Sequence, residues 1–321
     1  MVAKSTILEI VKQCNCVAEV DTLLRSESYY SFKVCDKLVG IVSSADIQSL
    51  KTACEKQESS PFEFDDQART LTFAQTLNTC QLRSDGVASL LAAMRAEKAW
   101  ASLQKWRNEL YPVYGDVSNS DGIAVMIERA ASYNFGIRTF GVHINGITKD
   151  ASGNIKMWVA KRSATKQTWP GYLDQIVAGG IGNGMGVWDS VVKECGEEAG
   201  IPEKIAETTK TAGIIQYFTC SELGLQPETE FVFDLVLPCD FVPQPTDGEV
   251  EKFHLWSLDE VIDNLRSGLF KPNCAVCIVD FLIRHGWLTP ENEPDYIEIV
   301  ENIHRPLPFP APKYSLATGR N

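Results

Sequence analysis

The stretch AGGIGNGMGVWDSVVKECGEEAGIP, residues 178–202, constrains the fold more than any other part of the chain. Glycines at 179, 180, 182, 184 and 186 make a loop whose backbone can approach a ligand closely, because no Cβ stands in the way. Residues 187–199 then read as a helix. Asp189 or Ser190 suits its first turn, and Gly200 suits the left-handed residue that ends it. Ile201 supplies the apolar contact that follows, and Pro202 stops the helix. Glu194, Glu197 and Glu198 fall at offsets of three and four, so they share one helical face. Three like charges on one face repel, and a cation removes that cost. Hard oxygen ligands suit Mg²⁺ or Mn²⁺ rather than zinc, and Mg²⁺ held this way completes its shell with water and phosphate oxygens. The same spacing also fits a solvated acidic helix face, and spacing alone leaves both readings open.

The rest of the chain frames this segment. At 321 residues, two domains are the expectation. Residues 28–58 read as a hairpin and a helix, with strands at 29–34 and 38–42 and a helix at 45–53. A second strand pair is expected at 62–64 and 70–73. Residues 87–109 read as one long amphipathic helix capped by Ser84 or Asp85, with Trp100 and Trp106 in the core. Residues 111–122 have a linker's composition, so the boundary is set between a smaller α+β domain at 1–125 and a second domain at 126–321. In that second part, strands at 137–145, 157–160, 176–180, 213–218, 231–238 and 250–256 alternate with helices at 187–199, 258–265 and 275–285, the pattern of a mixed α/β sandwich. The Pro-rich tail from Pro306 is expected to lie extended on the surface.

Charge and cysteine narrow the function classes. The net charge is −12, and residues 131–321 hold 25 acids against 16 bases. Such a chain should not grip a nucleic-acid backbone, which needs clustered Lys and Arg. No apolar run approaches the ~20 residues that span a bilayer, so no membrane partner is expected. The N-terminus reads as a short amphipathic helix with Ile7, Leu8, Ile10 and Val11 inward rather than as a targeting segment. Ten cysteines without a secretory signal read as thiols of a cytoplasmic protein. Cys14 with Cys16, and Cys274 with Cys277, have the spacing of metal half-sites, but neither has a matching second pair. The four histidines are scattered, and no phosphate-binding Walker loop occurs.

The 178–202 stretch resembles the box of the Nudix hydrolases, G-x5-E-x7-R-E-U-x-E-E-x-G-U with U aliphatic. Gly179, Lys193, Glu194, Cys195, Glu197, Glu198, Gly200 and Ile201 carry the match. Met185 stands where the box has its first glutamate, Lys193 replaces the arginine, and Cys195 takes an aliphatic slot. Asp189 is a candidate for the missing acid. The flanks resemble one subgroup, related to the Nudix domain fused to thiamine pyrophosphokinase in fungi and seen also in plants. They include Trp158–Val159–Ala160–Lys161–Arg162–Ser163, Gln167–Thr168–Trp169–Pro170–Gly171, Leu173–Asp174, residues 247–253, residues 270–274 and residues 280–286.

The resemblance implies a Nudix α/β/α sandwich and Mg²⁺- or Mn²⁺-dependent hydrolysis of thiamine diphosphate, or its oxidised oxo and oxy (oxythiamine-type) analogues, to the monophosphate. That is a metabolite-repair role. Glu194, Glu197 and Glu198 would hold the metal, which bridges phosphate oxygens and activates water. Arg162 and Lys166 follow a strand end and are the local candidates for phosphate contacts, with the backbone at Gly179 and Gly180. Their alternative is a solvated basic turn. Glu249 or Glu251 is the candidate general base, Glu249 being favoured. Trp169 can stack on a flat heteroaromatic ring or belong to the core. Two other readings stay open. One is hydrolysis of a nucleoside diphosphate derivative such as ADP-ribose. The other is a non-catalytic sensor, prompted by Met185. A homodimer is an open assembly.

Overall fold

The computed structural model describes residues 4–313, which fall into two compact units. The first unit takes residues up to Cys16, Phe140–Thr219 and Glu228–Leu307. The second takes Val17–Thr139, Cys220–Pro227 and the segment from Pro308.

Helix α1 (Ile7–Cys14) opens the first unit's share of the chain. Thr6 and Glu9 close a capping box at its start, and Ile7, Ile10, Val11 and Cys14 form its buried stripe. The second unit follows. It holds α2 (Val20–Arg25), the hairpin β1 (Tyr29–Val34) and β2 (Lys37–Ser43), α3 (Ser44–Cys54), β3 (Phe62–Asp65) and β4 (Thr70–Phe73). These strands form one sheet in the order β2-β1-β4-β3. A separate ribbon pairs β5 (Leu110–Tyr114) with β6 (Ile123–Glu128), and helix α4 (Cys80–Ala96) packs on β6. A one-turn helix, α5 (Ser132–Phe135), ends at Gly136 in the left-handed conformation. Phe32, Phe62, Phe73 and Phe135 form the unit's aromatic centre.

Two expectations fail in this unit. The long helix starts earlier and ends sooner than 87–109, because the Thr79 hydroxyl accepts from the Leu82 N–H and caps it. Beyond Ala96, Lys98 turns left-handed, with φ at 56°. Only a short 3₁₀ turn follows at Ser102–Lys105, carrying the chain past the buried Trp100. The expected linker at 111–122 begins instead as strand β5, whose Pro112 is tolerated in a two-stranded ribbon.

The first unit resumes with β7 (Thr139–Lys149), β8 (Ile155–Arg162), β9 (Leu173–Asp174) and β10 (Val177–Gly180). Then come α6 (Val187–Ala199), the single turn α7 (Glu203–Ala206), the long hairpin β11 (Lys210–Ser221) and β12 (Gly224–Val236), and β13 (Val250–Ser257). Helices α8 (Leu258–Arg266), α9 (Pro272–Arg284) and α10 (Tyr296–Ile303) close it. The sheet order is β11-β12-β7-β8-β13, with β10 on β7 and β9 on β8. Along β7, residues 141–144 pair with β10 and residues 146–149 pair with β8.

Successive residues of a strand point to opposite faces, and β12 uses both. Val232 joins the core built with α1, α8, α9 and α10, while Phe233 meets Trp188 of α6 edge-on. This is the expected α/β/α sandwich, with a separate α+β unit beside it in sequence. Helix α10 carries apolar residues (Ile299, Ile303) that seat it in this core. The tail is not simply a surface strand, since Leu307 and Phe309 are buried; residues 314–321 lie outside the described residues. Among the described residues no helix is long and apolar enough to cross a membrane.

Candidate active site

Helix α6 spans the residues that the sequence assigns to it. Its last turn closes with Gly200 left-handed at φ 60°, the Gly200 N–H donating to Gly196 and the Ile201 N–H to Cys195. Ser190, Val191, Cys195, Glu198 and Ala199 face inward. Glu198 is therefore a buried acid on the rim of an apolar stripe, and its Oε2 accepts the Ala178 N–H at 2.9 Å. Glu194, one turn earlier, lies against Gly179. A Cβ there would stand 2.5 Å from its Cγ, so only glycine admits this approach of β10 to α6. Gly180 continues the β10–β7 ladder opposite Gly141. Lys193 bridges Glu194 at 3.1 Å and the exposed Glu197 at 2.8 Å.

The loop before β13 is laced to the end of this helix. The Gln244 N–H donates to the Ala199 carbonyl at 3.0 Å, and the Thr246 hydroxyl donates to the carbonyls of Gly196 and Glu197. This lacing delivers Asp247 and Glu249. Ligand oxygens of Glu198, Asp247 and Glu249 all lie within 4.8 Å of one another. Lys166 pairs with Glu249, and the Ser163 N–H donates to the Glu249 carbonyl at 2.8 Å. Glu251 instead pairs with Lys161 at 2.8 Å, and the Asp189 carboxylate folds back against Gly186.

The electrostatics follow from burial. Desolvation raises the Glu198 carboxyl well above its usual range, and the nearby charges of Asp174 and Glu194 add to the rise. Burial raises Glu194 too, against the pull of Lys193. Two carboxyls that burial holds against ionisation, Glu194 and Glu198, fit a divalent cation, which restores the charged form.

Arg162 has a different task from the phosphate contact expected of it. It is buried, and its guanidinium donates to Asp174 at 2.6 Å, to the Trp169 carbonyl at 3.0 Å and to the Thr168 carbonyl at 2.9 Å. Asp174 also accepts from the Cys274 thiol and the Gln175 N–H. Burial would raise Asp174, but the charges of Lys271 and Arg162 prevail and hold it at about 2. Trp169 is 42% exposed rather than core.

Glu198 and Glu249 come within ligand reach of each other and of Asp247, which the helical spacing cannot reveal; Lys166 joins them through Glu249, Glu194 lies against Gly179, and the Glu197 carboxylate stays exposed on Lys193. His143 is buried beside Glu230, which also accepts from Tyr217 and Asn273. Cys274 and Cys277 are buried free thiols on α9.

Comparison with known proteins places the domains along the chain. A family model described as the NUDIX domain matches residues 139–273, and one described as a domain of unknown function (DUF4743) matches residues 6–139. The chain is 39% identical to the uncharacterized protein YJR142W of Saccharomyces cerevisiae over 285 residues, 85% of this chain and 82% of that protein. It is 40% identical to Nudix hydrolase 20, chloroplastic, of Arabidopsis thaliana, over 61% of this chain and 52% of that protein. Nudix hydrolase 24, chloroplastic, of the same plant is 39% identical over 61% of this chain and 53% of its own length. The chain therefore spans about half the length of these two plant relatives. Residues 139–273 are therefore a Nudix domain, and with these hydrolase relatives the chain is a hydrolase acting on diphosphate bonds.

Proposed function

We propose that the chain hydrolyses thiamine diphosphate, or its oxidised oxo and oxy analogues, to the monophosphate and phosphate, with Mg²⁺ or Mn²⁺ as cofactor. The observation that carries the hydrolytic part is the convergence of Glu198, Asp247 and Glu249 beside Glu194 and a Cβ-free Gly179. The substrate rests on the flanking segments that resemble the thiamine subgroup.

Glu198, Asp247 and Glu249 are the residues that would hold the cation, with Glu194 and Glu197 on the adjoining helical face. When bound, the cation neutralises phosphate oxygens and lowers the pKa of water. The protein's part is positioning and charge. Lys166, which pairs with Glu249, would turn to a phosphate oxygen if a metal held that carboxylate. Lys193 keeps Glu194 and Glu197 on one side of the helix. The Cβ-free backbone of β10 admits the diphosphate close to the acids. Glu249 is the favoured acceptor of the attacking water's proton, in which case Glu198 and Asp247 alone would hold the cation; Glu251 is engaged by Lys161. The substrate is a small diphosphate, with no nucleic acid and no membrane involved, and the protein acts in the cytoplasm.

The test is a substrate panel with Mg²⁺: thiamine diphosphate, oxythiamine diphosphate, ADP-ribose and nucleoside triphosphates, with products identified. Preferential release of phosphate and a thiamine monophosphate supports the proposal. Preference for ADP-ribose overturns the substrate assignment.

A further inference from the structure

The loop between β8 and β9 carries an expensive local arrangement that diphosphate hydrolysis alone does not explain. Trp169–Pro170–Gly171–Tyr172 is a tight turn with proline second and glycine third, Gly171 taking φ 75°, the pattern of a type II turn. It brings Trp169 and Tyr172 into an edge-to-face pair, ring centroids 5.0 Å apart at 80°. In such a pair the ring that presents its edge keeps both faces clear of its partner. Both side chains are well exposed, at 42% and 37%. Trp169 also takes a left-handed φ of 51°, strained for a bulky residue.

Something must hold this turn in place, and the holder is buried. Arg162 grips the carbonyls of Thr168 and Trp169 and is anchored on Asp174; both side chains of the ion pair are 8% exposed. A buried ion pair is weak evidence for stability, but the two guanidinium bonds to the Thr168 and Trp169 carbonyls fix the backbone of the turn directly. The loop's other end is tied to the acidic group, since Lys166 pairs with Glu249. Three residues span at most about 11 Å, so the turn lies within that reach of Lys166. A diphosphate and a short linker cover a comparable distance.

We propose that Trp169 and Tyr172 form an aromatic shelf for the flat, electron-poor ring of the diphosphate substrate, and that the Arg162–Asp174 pair is the strut that positions it. This rests on the hydrolase reading above and deepens its substrate class. Trp169 and Tyr172 set specificity by contact with the ring. Arg162 and Asp174 act through them.

The experiment compares a ring-bearing substrate with a ringless competitor. KM and kcat are measured with Mg²⁺ for thiamine diphosphate and ADP-ribose, and inorganic pyrophosphate is titrated as inhibitor. Trp169→Ala and Tyr172→Ala should each lower kcat/KM for the ring-bearing substrate tenfold or more, chiefly through KM, while the pyrophosphate inhibition constant shifts less than twofold. Trp169→Phe should stay within threefold of wild type. Asp174→Asn should raise KM as Tyr172→Ala does, and Asp174→Glu should restore part of the loss. Equal losses for substrate and pyrophosphate, or no loss for either, overturn the shelf. A dimer that Tyr172→Ala dissociates with unchanged kinetics also overturns it, assigning the pair to an interface between copies. If the wild type turns over no compound, the proposed function fails, and the shelf is judged by tryptophan fluorescence. Quenching by thiamine diphosphate that Trp169→Phe abolishes supports it, and no quenching overturns it.

Discussion

Gly179→Ala tests whether the approach of β10 to α6 sets the position of the acids. The added Cβ would lie 2.5 Å from Glu194 Cγ and 2.7 Å from its Oε1, with the carboxyl carbon also in conflict. Carbon atoms settle at about 3.5 Å or more, so the Glu194 side chain must retreat by about 1 Å. Cγ is not the free end of the side chain, and its Cβ is fixed on a helix whose Val191, Cys195 and Ala199 are fully buried. The retreat therefore takes the carboxylate with it. A misplacement of about 1 Å costs on the order of 100-fold in rate, close to 2.7 kcal/mol of barrier. Overpacking of this kind also destabilises by about 1–3 kcal/mol. Gly196 on the same helix is the control. It has open space at its Cβ position, so Gly196→Ala should gain about 0.5–1 kcal/mol of stability and keep its turnover. The measurements are kcat/KM with saturating Mg²⁺ and urea unfolding for both variants. Turnover of Gly179→Ala within threefold of wild type would refute the reasoning, because Glu194 would then tolerate displacement.

Glu197→Gln and Glu198→Gln should each lower turnover at least ~100-fold, since lost charge neutralisation is worth several kcal/mol. Wild-type rates in both would place the metal elsewhere. Glu198→Gln should also abolish the rise in Tm that Mg²⁺ gives the wild type; an unchanged Mg²⁺ response would remove Glu198 from the site. Asp174 is held at about 2 in the fold against about 3.9 unfolded, so its contribution is complete above pH 4 and is lost as pH falls toward 2. Urea unfolding between pH 5 and 3 should therefore show a steeper acid loss in wild type than in Asp174→Asn, and parallel curves would deny the shift. Gly136 is left-handed at φ 54°, and a Cβ there would run into the Ile41 carbonyl; Gly136→Ala should cost more than about 3 kcal/mol in chemical unfolding, and a cost under 1 would contradict that geometry.

Much of this was legible in the sequence where local chemistry settles the outcome. Helix α6 is readable from end to end because a glycine loop precedes it and Gly200 with Pro202 ends it. The β1–β2 hairpin is readable because apolar alternation flanks a short polar turn. Other features depend on distant partners. Two candidate caps, Ser84 and Asp85, lie inside α4, while Thr79 does the capping. Pro112 and Gly115 give residues 111–122 a loop-like composition, yet β6 supplies a partner that makes the first part a strand. Arg162 looks like a phosphate ligand at a strand end, and only the fold puts the Asp174 carboxylate and two carbonyls in its way. Asp247 is 49 positions from Glu198, and loop lacing through Gln244 and Thr246, not spacing, brings it there. Its place two residues before Glu249 is visible in the chain, but nothing in that short segment names the helix it meets.

Helix α1 belongs to the first unit although more than a hundred residues of the second unit follow it in the chain. Its Ile7, Ile10 and Val11 enter the same core as Ile278 and Phe281 of α9 and Ile299 of α10. During synthesis, α1 must therefore wait for α9 and α10, made long after it, before its apolar stripe is covered. Closing so long a loop is slow compared with local pairing. Until then the stripe is exposed apolar surface of the kind that makes folding intermediates aggregation-prone. A fragment cut to begin at residue 139, following the NUDIX match, would carry the acids and the shelf but leave the α9–α10 groove that α1 fills exposed to water.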